Sequence, residues 1–288
     1  MLQNRWTCVN GKLLPTEEAL LPVEDRALQF GDGVYEVIRL YRGTPFALKQ
    51  HLARLSASSA AIMLDYGCVE NELQASLEAI LQKASGQDGQ IYIQVTRGTA
   101  IRNHRFPEHT RPNVICTFSP LPAKNAIQLL KTVTLPDERW MHCNIKATSL
   151  LPNILAKEKA YRHGADEAIL YRSSEHITEG SSSNIFMVQS GTIITHPANQ
   201  WILNGITRQY VLALAKSLQI PYEERVFSLQ ELLNADEVIV TSTLQEIAAV
   251  VEIDHHPVQN GCAGPLTRRL HEEFMGSLST EWFWEHAI

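Results

Sequence analysis

What the sequence lacks narrows the field first. Cysteines are few: Cys8, Cys68, Cys116, Cys143 and Cys262 are odd in number, scattered, and form no C-x-x-C pair. Neither a disulfide framework nor a metal site of the zinc type is therefore expected, and a reducing, cytoplasmic home is. No stretch approaches the roughly 18 consecutive apolar residues of a membrane-spanning helix, and the opening "MLQNRWTCVNGKLLP" lacks the apolar core of an export signal. There is no internal repeat and no low-complexity tract. Positive charge is not in excess either: Lys and Arg total 25 against 31 Asp and Glu, a formal net charge of −6, which argues against a nucleic-acid-binding surface. What is present is apolar material, 44% of 288 residues, enough for one large core or two modest ones.

Hairpin signals dominate the first part of the chain. "WTCVNGKLLP" with its Asn10-Gly11 turn, "VYEVIRLYRGTPF" with its Arg42-Gly43 turn, and "QIYIQVTRG" read as strands of an antiparallel sheet. Leu48, Leu52, Leu55, Ser59 and Ile62 recur at three- and four-residue steps, which predicts a helix, and "VENELQASLEAILQKA" predicts a second. After "NVICTFSPLPAKN" the composition changes, and Pro120 and Pro122 flank a polar stretch that continues neither a central strand nor a helix. The expected division is an N-terminal domain over 1–118, a linker over 119–125 and a C-terminal domain over 126–288. Beyond the linker, strand patterns ("QLLKTVTL", "EAILYR", "SNIFMVQ", "TIITHP", "EVIVTS", "AAVVEI") alternate with helix patterns ("PNILAKEKAYRHG", "TRQYVLALAKSLQ", "LQELLNA").

Four short stretches could carry chemistry, and each has a plain structural alternative. Lys146 follows an apolar-flanked strand end in "CNIKATSLL". An amine among apolar neighbours gives up its proton more readily and can condense with a carbonyl, although a snorkelling surface lysine is commoner. Glu179 in "ITEGSSSNIF" precedes Gly180 and three serines; a polar turn is the simple reading, a carboxylate for a cationic ring nitrogen beside a phosphate the functional one. Gly205 leads into a helix at about Thr207, whose exposed N–H groups suit a phosphate, and Thr241, Ser242 and Thr243 end a strand with three hydroxyls. Finally, "FGDGVYEVIR" makes a tight Gly-Asp-Gly turn and points Tyr35 and Val37 to one face of a strand. Separately, "VTRGTAIRNHRFPEHTR" gathers Arg97, Arg102, Arg105 and Arg111 with His104 and His109 on an acidic protein, a local feature suited to a small anion.

In order, "FGDGVYE", "HLARL", "QVTRGT", "R-x-H-x-FPE", "RW" before "IK", "TEGSSSN", "THPAN", "NGITR" and "VTST" resemble the fold-type IV pyridoxal-phosphate enzymes, most closely the bacterial D-amino acid aminotransferases. The likeness runs from about Trp6 to about Phe274; the tail "LSTEWFWEHAI" has no counterpart in it. It implies an α+β / α/β chain of two domains, a smaller N-terminal α/β domain and a larger C-terminal mixed, β-barrel-like domain with helices. It implies pyridoxal 5′-phosphate as cofactor, Lys146 as Schiff-base lysine and catalytic base, and Glu179 as partner of the ring nitrogen. Arg54, Ile206, Thr207 and Thr243 would hold the phosphate, Ser182 would lie beside the ring, and Tyr35, Arg102 and His104 would trap the substrate α-carboxylate. Arg139, seven residues before Lys146, is a candidate contact for the phenolic oxygen of the ring. Arg97 would have a structural role, and Arg105, His109 and Arg111 would form a solvated rim. In that family the loop of Arg102 and His104 reaches across a dimer interface, so a homodimer is implied. The implied reaction is D-alanine plus 2-oxoglutarate to pyruvate plus D-glutamate. An aminodeoxychorismate lyase or a branched-chain L-aminotransferase of the same fold is the alternative, and the paired Arg102 and His104 weigh against both. A non-catalytic cofactor binder would need no carboxylate trap at all.

Overall fold

The computed structural model describes residues 5–124 and 126–278, so most of the C-terminal tail singled out above lies outside the described residues. The chain forms two compact units: Met1–Lys124 with Ile145–Leu150, and Asn125–Asn144 with Leu151–Ile288.

The first unit contains β1 (Trp6–Val9), β2 (Lys12–Pro15), α1 (Arg26–Phe30), β3 (Gly33–Tyr41), β4 (Thr44–Pro45), α2 (Leu48–Ala61), α3 (Glu70–Lys83), β5 (Gly89–Thr96) and β6 (Asn113–Pro120). Its strands form an antiparallel sheet ordered β2-β1-β6-β5-β3-β4. The hairpin turns are those the sequence predicts. Asn10 and Gly11 take φ of 49° and 81°, the left-handed pair that matches the twist of the flanking strands. At Arg42-Gly43 the second position has φ of 84°, and a Cβ there would meet the Gly86 nitrogen at 2.6 Å, so only glycine fits. Alternate residues of β5 and β6 are buried, and Ile91, Ile93, Val95, Val114, Cys116 and Phe118 join Val34 and Ile38 of β3 in one core. Leu55 of α2 and Leu73, Leu77 and Ile80 of α3 complete it. Each such side chain contributes about 1.5–3 kcal/mol by leaving water.

The second unit contains β7 (Leu129–Pro136), α4 (Leu151–Arg162), β8 (Glu167–Ser173), β9 (His176–Gly180), β10 (Asn184–Gln189), β11 (Thr192–Thr195), α5 (Ile206–Ser217), β12 (Tyr222–Glu224), α6 (Leu229–Leu233), β13 (Glu237–Ser242), β14 (Glu246–Ile253), β15 (His256–Pro257) and α7 (Pro265–Ser277). A nine-stranded sheet runs β12-β11-β10-β13-β14-β7-β8-β9, with β15 beside β14. The pairs β11–β12, β14–β7 and β7–β8 are parallel and the others antiparallel, which makes the sheet mixed. Strands β10 and β13 are buried on both faces and read as continuous apolar runs for that reason. The sheet curls: edge strand β9 returns beside β10, where the Gly180 N–H donates to the Ser183 carbonyl at 2.7 Å. No helix among the described residues is long and apolar enough to cross a membrane.

Candidate active site

Lys146 belongs to the first unit, where its backbone is stitched to the start of β3. The Tyr35 N–H donates to the Lys146 carbonyl at 3.0 Å, Val34 and Ala147 form an isolated bridge, and the Lys146 N–H donates to Ser58 Oγ of α2 at 3.2 Å. The half-buried side chain carries its Nζ 4.4 Å from the centroid of the Tyr35 ring. Tyr35 in turn stacks on Tyr92 at 5.6 Å.

On the opposite face of β3, Glu36 is wholly buried and forms a cluster absent from the sequence reading. Arg54 of α2 donates to it through Nε (2.7 Å) and Nη2 (2.8 Å), and His51 Nδ1 lies 2.7 Å away. Burial alone would raise the Glu36 carboxyl, but the bonds from Arg54 and His51 outweigh it and hold the pKa at about 2. Burial pushes the His51 pKa down, with the charges of Arg54 and Lys146 adding to that push against the opposing hydrogen bond and charge of Glu36. Strand parity was the available signal: Tyr35 and Val37 share one face, which leaves Glu36 among Val34 and Ile38 as the lone carboxylate on an apolar face.

Arg102 and His104 sit on an exposed loop between β5 and β6. Both side chains pack on Phe30 at the end of α1, the Arg102 guanidinium 5.0 Å from its centroid and the His104 ring 5.4 Å. Buried Arg26 holds the loop from below, donating through Nη1 to the Asn103 carbonyl at 2.6 Å and through Nε to Asp32 at 2.8 Å. Arg97 also binds Asp32 and donates to the carbonyls of Ile62 and Met63 at 2.8 and 2.9 Å. Arg105 and His109 are exposed, and Arg111 pairs with Glu72.

In the second unit Glu179 is the penultimate residue of β9 and is buried. Its Oε1 accepts from Arg139 Nη1, and its Oε2 accepts from Asn184 Nδ2 at 2.9 Å and from the Leu203 N–H at 3.1 Å. Burial pushes this carboxyl up to about 7, against the opposing pull of Arg139. Asn184 also donates to the Leu203 carbonyl at 2.8 Å, which fixes the chain that leads into α5. Gly205, immediately before α5, abuts the same side chain: a Cβ there would stand 2.1 Å from Asn184 Oδ1. Among the described residues no side chain caps this helix start, which leaves the amides of Ile206 and Thr207, both buried residues, as donors suited to another acceptor. Thr241 is the cross-strand partner of Asn184, and its buried hydroxyl has no hydrogen-bond partner among the described residues; half-buried Thr243 follows two residues later. The Ser182 hydroxyl is brought to Glu167, at 3.4 Å from Oε2, and Ser181 and Ser183 donate to the same buried carboxylate.

Each unit thus carries chemically capable groups, a half-buried lysine against a tyrosine ring in the first and a buried carboxylate with a raised pKa in the second. Residues 33–253 match the amino-transferase class IV family, and the chain belongs to that family. The D-alanine aminotransferase of Bacillus licheniformis is 42% identical over 274 residues, covering 94% of this chain and 96% of that one. Among solved structures, the branched-chain amino acid aminotransferase of Escherichia coli matches with a TM-score of 0.89 at 27% identity, covering 97% of each chain. The branched-chain aminotransferase of the thermophilic archaeon Thermoproteus uzoniensis, solved with norvaline, matches with a TM-score of 0.84 at 30% identity, covering 94% of this chain and 93% of that one.

Class IV aminotransferases work with pyridoxal 5′-phosphate, and the residues present fit it. A carboxylate that burial keeps basic suits a cationic ring nitrogen. The uncapped start of α5 and the orphaned Thr241 hydroxyl suit a phosphate.

Proposed function

We propose that the protein is a pyridoxal-phosphate-dependent D-amino acid transaminase that converts D-alanine and 2-oxoglutarate to pyruvate and D-glutamate by a ping-pong cycle. The observation that carries this reading is the 42% identity to a D-alanine aminotransferase along nearly the whole chain, and the Arg102-x-His104 loop fits it. Bound, the cofactor supplies the aldehyde that takes the amino group and the protonated ring that accepts charge from the substrate Cα.

The residues divide the remaining work. Lys146 would hold the cofactor through its amine and would serve as the base that takes the proton from the substrate Cα. Glu179 keeps the ring nitrogen protonated, because a neighbouring negative charge favours the cationic form. Arg54, Ile206, Thr207 and Thr243 bind the phosphate, and Ser182 flanks the ring. Tyr35, Arg102 and His104 bind the α-carboxylate. Handedness follows from that trap: with the carboxylate fixed and Cα–H aimed at Lys146, exchanging enantiomers swaps the hydrogen with the side chain and leaves Lys146 no proton to take.

A homodimer completes the reading. Leu20, Val23, Leu28 and Ile101 are 83%, 82%, 67% and 85% exposed. Val23 and Ile101 adjoin the pair in which the Ala100 N–H donates to the Glu24 carbonyl at the base of the trap loop, and in this proposal a second copy of the chain covers these exposed apolar side chains. A cytoplasmic location accords with Cys8 and Cys116, buried cross-strand partners that are free thiols.

The test follows the absorbance of the purified holoenzyme after D-alanine or L-alanine is added without a 2-oxo acid. D-alanine alone is expected to convert the cofactor to its pyridoxamine form. Conversion by L-alanine or L-leucine would replace this reading with the branched-chain one, and release of 4-aminobenzoate from aminodeoxychorismate, with D-alanine inert, with the lyase. In Lys146→Ala the half-reaction should slow by at least about 10³-fold; an unchanged rate would remove Lys146 as the base.

A further inference from the structure

Asp137 lies one residue beyond β7, where its N–H donates to the Tyr171 carbonyl at 2.8 Å. Its carboxylate is wholly buried and takes three of its hydrogen bonds from Arg139. Oδ1 accepts from the Arg139 backbone N–H (3.1 Å) and Nε (2.9 Å), and Oδ2 accepts from Nη2 (2.8 Å) and from Thr178 Oγ1 (2.9 Å). Arg139 Nη2 also reaches the Trp201 carbonyl at 3.3 Å. The Nε and Nη2 edge of the guanidinium, the two-pronged edge with which Arg54 grips Glu36, is thereby occupied, and Nη1 donates to Glu179. The other groups that face this array are Arg172 of β8, whose Nε is 3.4 Å from Asp137, His176 of β9 and Cys143.

We propose that Asp137 is a positioning residue for transamination: by holding the forked edge of Arg139, it limits that arginine to one bond with Glu179 and leaves Glu179 with an unmet demand for a second cation. This rests on the reading of Glu179 as the partner of the ring nitrogen, which is that cation. With Asp137 present, its charge and that of Glu179 offset Arg139 and Arg172, so the ring proton arrives at a neutral array. With Asp137 neutral, the proton joins an array already positive, and Arg139 is free to turn its fork onto Glu179. Both effects make the ring nitrogen less basic.

The experiment uses holoenzyme reconstituted with pyridoxal phosphate carrying nitrogen-15 in its ring. In Asp137→Asn the ring resonance should move toward its unprotonated position, and the half-reaction with D-alanine should slow by roughly tenfold, the equivalent of one pKa unit. The D-alanine concentration for half-maximal rate should stay within about twofold, since no contact to the substrate is altered. Asp137→Glu, which keeps the charge, should recover part of the shift. A resonance unmoved in Asp137→Asn but displaced in Glu179→Gln overturns the role of Asp137. A resonance unmoved in both overturns Glu179 as the ring partner instead. Should Asp137→Asn fail to fold, Thr178→Val, which removes one bond to Asp137, is read by the same resonance: a smaller shift in the same direction supports the role, and none overturns it.

Discussion

Glu36 in the first unit and Glu179 in the second are both buried carboxylates bonded to an arginine, yet one is held at about 2 and the other at about 7. Desolvation acts on both in the same direction, so the difference lies in the partners. Glu36 receives two prongs of Arg54 and the imidazole of His51, and its demand for positive charge is met within the protein. Glu179 receives one prong of an arginine shared with Asp137, plus two neutral donors. The first arrangement ties α2 to β3 and orients the arginine that the proposed function gives to the cofactor phosphate; the second leaves a carboxylate whose charge is less fully matched, which under that proposal serves the ring nitrogen of the cofactor. An ion pair in a protein interior is thus a fixture or a binding element according to how completely its charges are matched.

The comparison breaks if the two glutamates respond alike to removal of charge. The largest effect is expected in Glu179→Gln, with the half-reaction slowed by roughly 10²–10³-fold, the scale for losing one preorganised electrostatic contact; a rate within a few fold of wild type would contradict it. Glu36→Gln should instead cost stability, about 3 kcal/mol at pH 7 from the depressed pKa alone, as read by urea unfolding.

The two variants also have opposite pH signatures. The folded pKa of Glu36 lies below its ordinary 4.5, so its stabilisation is complete above that pH and is lost as pH falls toward about 2. The folded pKa of Glu179 lies above its ordinary 4.5, so in the apoprotein its ionisation costs stability that is fully expressed above about 7 and relieved as pH falls to 4.5. The stability of the apoprotein relative to Glu179→Gln should therefore decline between pH 5 and 8 by about 3 kcal/mol, while that relative to Glu36→Gln stays flat over this range. Arg102→Ala touches neither array and should leave both signatures intact. Its effect is confined to substrate, a loss of about 1.5–3 kcal/mol in binding, seen as a raised KM for D-alanine; an unchanged KM would remove Arg102 from the trap.

Much of this architecture is legible in the chain where the signal is local. The spacing of Leu48, Leu52 and Leu55 marks α2, and the Asn10-Gly11 and Arg42-Gly43 pairs mark the hairpins, because helix faces and tight turns are set by residues close in sequence. Two helices escape that reading: α1 is only five residues long, and α7 hides its helical spacing of Leu266, Leu270 and Phe274 among charged residues. Strand β9 is short, ends in glycine and carries Glu179, so its pattern resembles the polar turn that the serines suggest. Those serines cap Glu167, a contact no spacing announces. Arg139 is a sequence candidate for the phenolic oxygen of the cofactor ring, and its bonds to Asp137 and Glu179 are contacts that its spacing from Lys146 does not announce. The members of that array lie at positions 137, 139, 178, 179, 184 and 203, and only the folded sheet brings them together. Glu36 is within reach of the sequence, since strand parity alone places a carboxylate among buried valine and isoleucine.

The most direct measurement is a carbon-13 NMR titration of the glutamate carboxyls in the apoprotein, assigned with Glu36→Gln and Glu179→Gln. One resonance, absent from Glu179→Gln, should titrate near 7, and another, absent from Glu36→Gln, should stay ionised to below pH 3, given a pKa of about 2. Two resonances that both titrate near the ordinary 4.5 would contradict the assignment of one carboxylate to structure and the other to the cofactor.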